Sequence, residues 1–195
     1  MSISLENVSK AFQDNAVLSN VTLSLEDGAF YLLVGESGSG KTTLLRLLAG
    51  LESPEEGAVE MDGKSVSYAF QEPRLFPELT VRENVLAIAP QRSVSEILEC
   101  LHLTEAADKL PHELSGGMKK RAGVARALAA DADVYLLDEP TGGQDVMHVV
   151  RIADAIRHYT AGATVIVATH DDKLRALLPA ETLTVHNGSC TVSKE

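Results

Sequence analysis

The segment Phe30-Tyr-Leu-Leu-Val-Gly-Glu-Ser-Gly-Ser-Gly-Lys-Thr42 decides the fold of this 195-residue chain. Its first five residues are continuously apolar, which is typical of a strand buried on both faces of a sheet. Residues 35–42 fit the phosphate-loop pattern G-x-x-x-x-G-K-[ST], and the leucines within residues 44–48 follow with helical spacing. A strand, a glycine loop and a helix in this order predict a phosphate-binding loop at the edge of a parallel sheet.

Each part of this loop has a role in holding a polyphosphate. Gly35, Gly38 and Gly40 permit backbone conformations with positive φ, so that successive N–H groups can turn toward phosphate oxygens. Lys41 can reach the β- and γ-phosphates, and the Thr42 hydroxyl can ligate Mg²⁺. The alternative is a chance match in a glycine-rich turn, but such a turn would not require the strand and the helix that flank this one.

The composition favours one globular domain that is stable without disulfides or a structural metal. Apolar residues make up 45% of the chain and charged residues 23%. The 17 Lys and Arg against 28 Asp and Glu give a formal net charge of −11, which argues against nucleic acid as a partner. The two cysteines suit a reducing compartment, and no segment resembles a signal peptide or a membrane span. We therefore expect a soluble, cytoplasmic protein.

The rest of the chain alternates short apolar strands with helical patterns. Val134–Leu137 and Thr164–Ala168 are two further buried strands, and residues 181–192 predict a hairpin around Asn187-Gly188. Apolar and polar residues alternate in the first 25 residues, as in half-buried strands. The fold class that follows is α/β: a phosphate-loop NTPase core with a mostly parallel sheet, an N-terminal antiparallel β part and a small helical subdomain near residues 72–130.

Two carboxylates end the strand at residues 134–137. Asp138 and Glu139 stand at the carboxyl end of a parallel strand, where ligands collect in such sheets. We expect Asp138 to face the phosphate loop and help to hold Mg²⁺, and Glu139 to accept a proton from an attacking water. The alternative interpretation is a pair of solvated acids at a strand end.

The order of the remaining motifs resembles the ATP-binding domain of ABC transporters. The phosphate loop is followed by Gln71, Leu114-Ser-Gly-Gly-Met118, Leu136-Leu-Asp-Glu-Pro140, Asp145 and His170. A Leu-Ser-Gly-Gly signature between a phosphate loop and Leu-Leu-Asp-Glu-Pro is highly specific to that family. The resemblance covers about residues 4–188, as a single domain over residues 1–195.

The resemblance implies a catalytic set and a metal set. Glu139, His170 and Gln71 would be the catalytic residues, with His170 on the γ-phosphate and Gln71 on the attacking water and Mg²⁺. The metal ligands would be Thr42, Gln71 and Asp138. Alone, a histidine or a glutamine after a strand is more often a structural or solvated residue.

The resemblance also implies the contacts of the nucleotide. Phe12 would stack on adenine, although a strand aromatic can equally belong to the core. Residues 115–117 would grip the γ-phosphate of an ATP bound to the opposite subunit, and Asp145 lies in a loop that crosses to that subunit. The ATP-binding residues would be Phe12, Gly35, Ser37, Gly38, Ser39, Gly40, Lys41, Thr42, Thr43, Ser115, Gly116, Gly117 and Asp145.

Three features depart from the family pattern. Met118 stands where the family usually has Gln, and Gly142–Gln144 replace its usual Ser-Ala-Leu. The interval from Gln71 to Leu114 is short, which predicts a trimmed helical subdomain. We expect activity to survive the change at Met118, and we interpret Lys119 and Lys120 as a solvated helix face.

The resemblance implies an ATPase that drives transport. It would work as a homodimer or with a paired ATPase subunit, docked to transmembrane permease subunits on the inner face of the cell membrane. The segment of residues 71–85 favours a bacterial importer of a small solute, with an extracytoplasmic solute-binding protein as a further partner. The sequence does not identify the transported solute.

Two other classes compete with the transporter ATPase. An ABC-type ATPase acting on DNA or ribosomes usually carries a long insertion or a second domain, for which this chain has no room, and the negative charge argues against it. A phosphate-loop kinase would not need the signature, and a GTPase would normally carry N-K-x-D, which the chain lacks.

Overall fold

The chain folds into two sheets with six α-helices and two short 3₁₀ helices (Thr104–Ala106 and Pro111–Glu113) around them in the part that the computed structural model describes, residues 3–13, 15–89 and 93–193. The strands are β1 (Ile3–Phe12), β2 (Asn15–Leu25), β3 (Phe30–Val34), β4 (Glu56–Glu60), β5 (Val66–Ala69), β6 (Val134–Asp138), β7 (Thr164–Ala168), β8 (Glu181–His186) and β9 (Ser189–Ser193). The helices are α1 (Lys41–Leu48), α2 (Val81–Leu86), α3 (Val94–Cys100), α4 (Gly116–Ala129), α5 (Val146–Tyr159) and α6 (Asp172–Leu177).

The smaller sheet is antiparallel, with strand order β2-β1-β4, and the larger one has the order β5-β6-β7-β3-β8-β9. In the larger sheet every neighbouring pair is parallel except the hairpin of β8 and β9. The predicted α/β class, the mostly parallel sheet and the N-terminal antiparallel part are therefore confirmed. Helices α2, α3 and α4 fall within the predicted helical subdomain, whose limits near residues 72–130 stay a prediction.

Local capping starts several helices at the residues that the sequence indicates. The Thr80 hydroxyl accepts a hydrogen bond from the Glu83 amide, and the Glu83 carboxylate accepts one from the Thr80 amide. Ser115 caps α4 through a bond from the Met118 amide. Because the caps satisfy amide groups that no helix carbonyl can reach, they fix where each helix begins.

The central strands are buried on both faces, which explains their continuous apolar sequence. In β6, Val134 and Leu136 pack with the cluster beneath β1, β2 and α1, while Tyr135 and Leu137 pack with the cluster beneath the other helices. Every residue of β6 and of β7 is buried. None of the helices in the described part of the chain has the length and apolar character that a bilayer crossing requires.

The register of β3, β7 and β6 brings their carboxyl ends to one level. Leu33 pairs with Ala168 of β7, and Ala168 pairs with Asp138 of β6. The Glu139 amide continues this pattern by donating to the Ala168 carbonyl oxygen at 2.8 Å. The segments that follow the three strands therefore converge at one edge of the sheet, which is where ligands bind in such folds.

A bulge in β1 breaks its simple alternation of apolar and polar residues. Asn7 has a φ of 52°, and the register with β2 shifts between Leu5 and Val8. Gly57 of β4 packs against this bulge with a φ of 81°. A Cβ atom at Gly57 would lie 2.2 Å from the Glu6 carbonyl oxygen, so only glycine fits without a backbone shift.

We expect Gly57→Ala to lower the free energy of unfolding by more than Gly63→Ala does. Gly63 also has a positive φ, of 72°, but a Cβ atom there would meet nothing within 4 Å. The Gly63 variant should therefore lose only the left-handed backbone cost of about 1–2 kcal/mol, and the Gly57 variant should lose that plus the backbone clash. Urea unfolding measures both. Equal losses would show that the bulge relaxes at no cost.

Candidate nucleotide-binding site

A cavity of about 490 Å³ opens at the carboxyl ends of β3, β6 and β7, a size typical of a small-molecule site. It collects side chains from segments that are far apart in sequence. The lining residues are Phe12, Val17, Gly35, Ser37, Gly38, Gly40, Lys41, Thr42, Thr43, Gln71, Asp138, Glu139 and His170. All of them except Val17 are residues that the sequence motifs had marked as candidates.

The glycine loop is pressed against neighbouring strands and has no room for side chains at two positions. Gly35 and Gly40 have φ values of 154° and 105°. A Cβ atom at Gly35 would lie 2.4 Å from the Val185 carbonyl oxygen, and one at Gly40 would lie 2.9 Å from Val17 Cγ1. The backbone itself is therefore what the loop presents to the cavity, as a phosphate cradle requires.

Lys41, the first residue of α1, bonds back to the start of the phosphate loop. Its Nζ donates hydrogen bonds to the carbonyl oxygens of Gly35 at 2.8 Å and of Glu36 at 2.9 Å. Ser39 is the one predicted loop residue outside the lining of the cavity, and its buried hydroxyl has no hydrogen-bond partner among the described residues. The ammonium group and the amino end of α1 together make this corner positive, which favours an anion.

Oxygen atoms gather around Asp138, which is only 3% exposed. The Thr42 hydroxyl donates to Asp138 Oδ2 at 2.9 Å, and the Tyr68 hydroxyl approaches the same oxygen at 3.4 Å. Burial raises the pKa of Asp138, while the hydrogen bond from Thr42 opposes that rise. These oxygens are the type of donor that a hard divalent cation such as Mg²⁺ prefers, and Gln71 lines the same cavity.

Glu139 is held in an unusual conformation directly after β6. Its φ is 48°, which is rare for a residue that is not glycine and is often found at functional sites. Its Oε1 lies 2.8 Å from His170 Nδ1, and its Oε2 accepts a bond from the His170 amide at 3.4 Å. The Glu139 side chain is 12% exposed and that of His170 is 77% exposed, so the imidazole covers the carboxylate from the solvent side.

The predicted residues 115–117 and Asp145 do not line this cavity. Ser115 and Gly116 are exposed at the start of α4. Asp145 caps α5, because its carboxylate accepts a bond from the His148 amide at 3.0 Å and pairs with the His148 ring at 2.9 Å. These bonds lower the pKa of Asp145. Within one chain, therefore, the signature and the phosphate loop form separate sites.

Lys120 was interpreted from the sequence as part of a solvated helix face, and this is wrong. Its ammonium group donates a hydrogen bond to the Gln71 carbonyl oxygen. It lines a second cavity beside the first, together with Asp138 and Glu139. Burial lowers the pKa of Lys120, and the carboxylates of Asp138 and Glu139 oppose that shift. The only sequence signal was its position one helical turn after Gly116.

The contacts of Gln144 were also not predictable from the sequence. Gln144, one of the departures from the family pattern, accepts a hydrogen bond from Arg121 at 2.8 Å and donates one to the Gly117 carbonyl oxygen at 3.1 Å. Its loop is thereby fixed to the signature helix.

Phe12 is 43% exposed at the mouth of the cavity, so the alternative that it belongs to the core is wrong.

Comparison with known proteins agrees with this site. Residues 18–142 match the family model described as ABC transporter. The chain is 38% identical to the aliphatic sulfonates import ATP-binding protein of Bacillus subtilis, across 88% of this chain and 74% of that protein. It is 41% identical to the spermidine/putrescine import ATP-binding protein of Thermotoga maritima across 87% of its length, and it spans only 52% of that relative.

Solved structures agree as well. The fold matches the dimeric post-hydrolysis structure of the ATP-binding cassette MJ0796 bound to ADP and phosphate, with a TM-score of 0.84, 29% identity and 98% of both chains covered. The matched family model spans the phosphate loop, the signature and the carboxylates of Asp138 and Glu139. The chain therefore belongs to the ABC transporter family, as an ATP-binding cassette.

Proposed function

We propose that the chain is the ATP-hydrolysing subunit of a membrane importer of a small solute, working as a dimer of cassettes on the inner face of the membrane. As a member of the ABC transporter family the chain is an ATPase. The observation that carries the proposal is the convergence of the phosphate loop, Asp138, Glu139, Gln71 and His170 on one cavity. The whole of residues 1–195 would be one cassette, with a helical subdomain near residues 72–130.

The phosphate groups of ATP would lie in the loop of residues 35–42. Its amides, the amino end of α1 and the Lys41 ammonium would hold the negative charge. Lys41 bonds to two loop carbonyls, and it would exchange these partners for phosphate oxygens. Phe12 and Val17 flank the same cavity, where an adenine ring can stack on the exposed aromatic face.

The residues around Asp138 would hold Mg²⁺. Thr42, Asp138 and Gln71 supply its oxygen ligands from three separate segments. When bound, the ion neutralises negative charge on the phosphate oxygens. Asp138 must be ionised for this task, and the hydrogen bond from Thr42 favours its ionised form.

Glu139 would act as the general base. Its carboxylate is held at the edge of the cavity by the His170 ring and amide, and from there it would take a proton from a water aligned with the γ-phosphate. His170 would position Glu139 and contact the γ-phosphate with the rest of its ring. Gln71, which lines the same cavity, would orient the same water.

The separation of the signature from the phosphate loop within one chain supports a dimer. Ser115 and Gly116 present an exposed helix start that can bind the γ-phosphate on a second copy or on a paired ATPase subunit, with Asp145 in the loop between them. The solved relative MJ0796 is a dimer. Two chains of formal charge −11 repel, so Mg-ATP would be needed to bridge them.

The membrane part of the transporter would come from separate permease subunits, because the relatives are named as ATP-binding proteins of import systems. Relatives in Bacillus subtilis and Thermotoga maritima are named as import proteins for sulfonates and for spermidine or putrescine. An importer also implies an extracytoplasmic solute-binding protein as a partner. The acidic surface argues against nucleic acid as the partner.

We expect Lys41→Ala to weaken Mg-ATP binding by about tenfold or more, because a charge-assisted contact to the phosphates is lost. Isothermal titration calorimetry measures the affinity. Lys64→Ala is the matched control, since Lys64 pairs with Asp27 at 3.0 Å and lies outside the lining of the cavity. An unchanged affinity of the Lys41 variant would contradict the assigned phosphate site.

We expect Glu139→Gln to leave ATP binding nearly unchanged and to reduce turnover by roughly 10²-fold or more, the scale for loss of a general base. The amide keeps the size of the side chain but removes its basic oxygen. Phosphate release in the presence of the permease measures turnover. Asp172→Asn serves as a control, because that acid pairs with Arg175 instead. Turnover at the wild-type rate in the Glu139 variant would exclude it as the base.

We expect the Glu139→Gln protein to double its mass in light scattering when Mg-ATP is added, and Gly116→Glu in the same background to stay monomeric. A Cβ atom at Gly116 meets nothing within 4 Å in its own chain, so this substitution leaves the monomer intact while placing a negative charge at the γ-phosphate site. Lys119→Glu is the control for an added charge on the same helix. A Gly116 variant that still dimerises would argue against the signature as the second ATP contact.

A further inference from the structure

The signature helix α4 reaches the hydrolysis site of its own chain through one side chain. Lys120 is the fifth residue of α4, and its ammonium group donates a hydrogen bond to the main-chain carbonyl oxygen of Gln71. The side chain is half-buried. A long cationic side chain that turns inward from a helix start loses hydration and conformational freedom, so its contact needs a compensating partner.

The surroundings of Lys120 supply that compensation. The carboxylates of Asp138, Glu139 and Glu72 all act electrostatically on its ammonium group. Its stem crosses Gly142, where an added Cβ atom would lie 3.9 Å from both Cε and Nζ of Lys120. The ammonium group therefore sits between the carboxyl end of β6, the loop that follows it and the Gln71 segment.

The fold does not need Lys120 to hold the Gln71 segment on α4. Arg126, two turns further along the helix, donates to the carbonyl oxygens of Arg74 at 2.9 Å and of Pro73 at 3.0 Å. The bond from Lys120 acts at Gln71 alone. Removing the Lys120 ammonium should therefore free the Gln71 peptide while Arg126 keeps the rest of the segment docked.

We propose that Lys120 is a positioning residue for hydrolysis, which fixes the Gln71 peptide beside Asp138 and Glu139 and offsets the negative charge of these carboxylates. The inference rests on the proposed function of this site. Lys120 is absent from the lining of the cavity that would receive the nucleotide and lines only the adjoining one. Its role therefore concerns the rate of the reaction and not the affinity for ATP.

The test compares Lys120→Met, which removes both donor and charge, with Lys120→Arg, which keeps both. Lys119→Met is the matched control on the preceding residue. For Lys120→Met we expect kcat to fall by about tenfold or more through misplacement of Gln71, while KM for Mg-ATP changes by less than about twofold. Lys120→Arg should recover most of the rate, and Lys119→Met should behave like the wild type.

A second measurement uses the chain without nucleotide, so it does not depend on hydrolysis. The Gln71 carbonyl carbon reports the bond directly, and we expect its NMR chemical shift to move in Lys120→Met when the hydrogen bond to its oxygen is lost, with the amide resonances of α4 unchanged. An unchanged Gln71 carbonyl resonance, a wild-type kcat, or an equal loss in Lys119→Met would overturn the inference. A wild type that hydrolyses no ATP would instead contradict the proposed function, and the carbonyl resonance would still decide the role of Lys120.

Discussion

The parallel register of β3, β7 and β6 is the constraint on which the whole site depends. Backbone pairing places Leu33, Ala168 and Asp138 side by side in three strands, and the segments that form the candidate site begin directly after these residues. Because the strands are buried on both faces, a shift of one residue would exchange the two apolar clusters and move every loop. The phosphate loop, Glu139 and His170 are thus positioned by core packing. Short-range contacts, such as those of Glu139 with His170 and of Lys41 with Gly35, then fix the side chains.

Helix α4 connects the parts of the molecule that have to act together. Its buried Arg121 and Arg126 bond to carbonyl oxygens of Leu101, Pro73 and Arg74, and burial lowers the pKa of both guanidinium groups. Lys120 reaches Gln71 from the same helix. The helix whose start carries the signature is therefore bonded, along its length, to the segment that lies beside Asp138 and Glu139.

Two of the departures from the family pattern, Gly142 and Gln144, have contacts that the structure explains. Gln144 bonds to Arg121 and to the Gly117 carbonyl oxygen, so the loop before Asp145 is attached to the signature helix by a side-chain amide. Gly142 leaves the neighbouring space to the Lys120 stem. The loop that follows β6 is therefore hydrogen-bonded to the start of α4 in this chain. The family usually has an apolar side chain at residue 144, which could not form these hydrogen bonds.

The sequence alone determined the elements and most of the site, because a continuous apolar run, a cap or a glycine loop acts within a few residues. The buried strands, the caps at Thr80 and Ser115, and the phosphate loop follow from such local patterns, while Gln71, His170 and Phe12 entered the candidate site only through the family resemblance. Only the tertiary structure decided that Lys120 turns inward, that Phe12 lies at the mouth of the cavity and that Gln144 bonds to α4. These outcomes depend on which surface each side chain meets after the helices pack, and residue spacing carries no information about that.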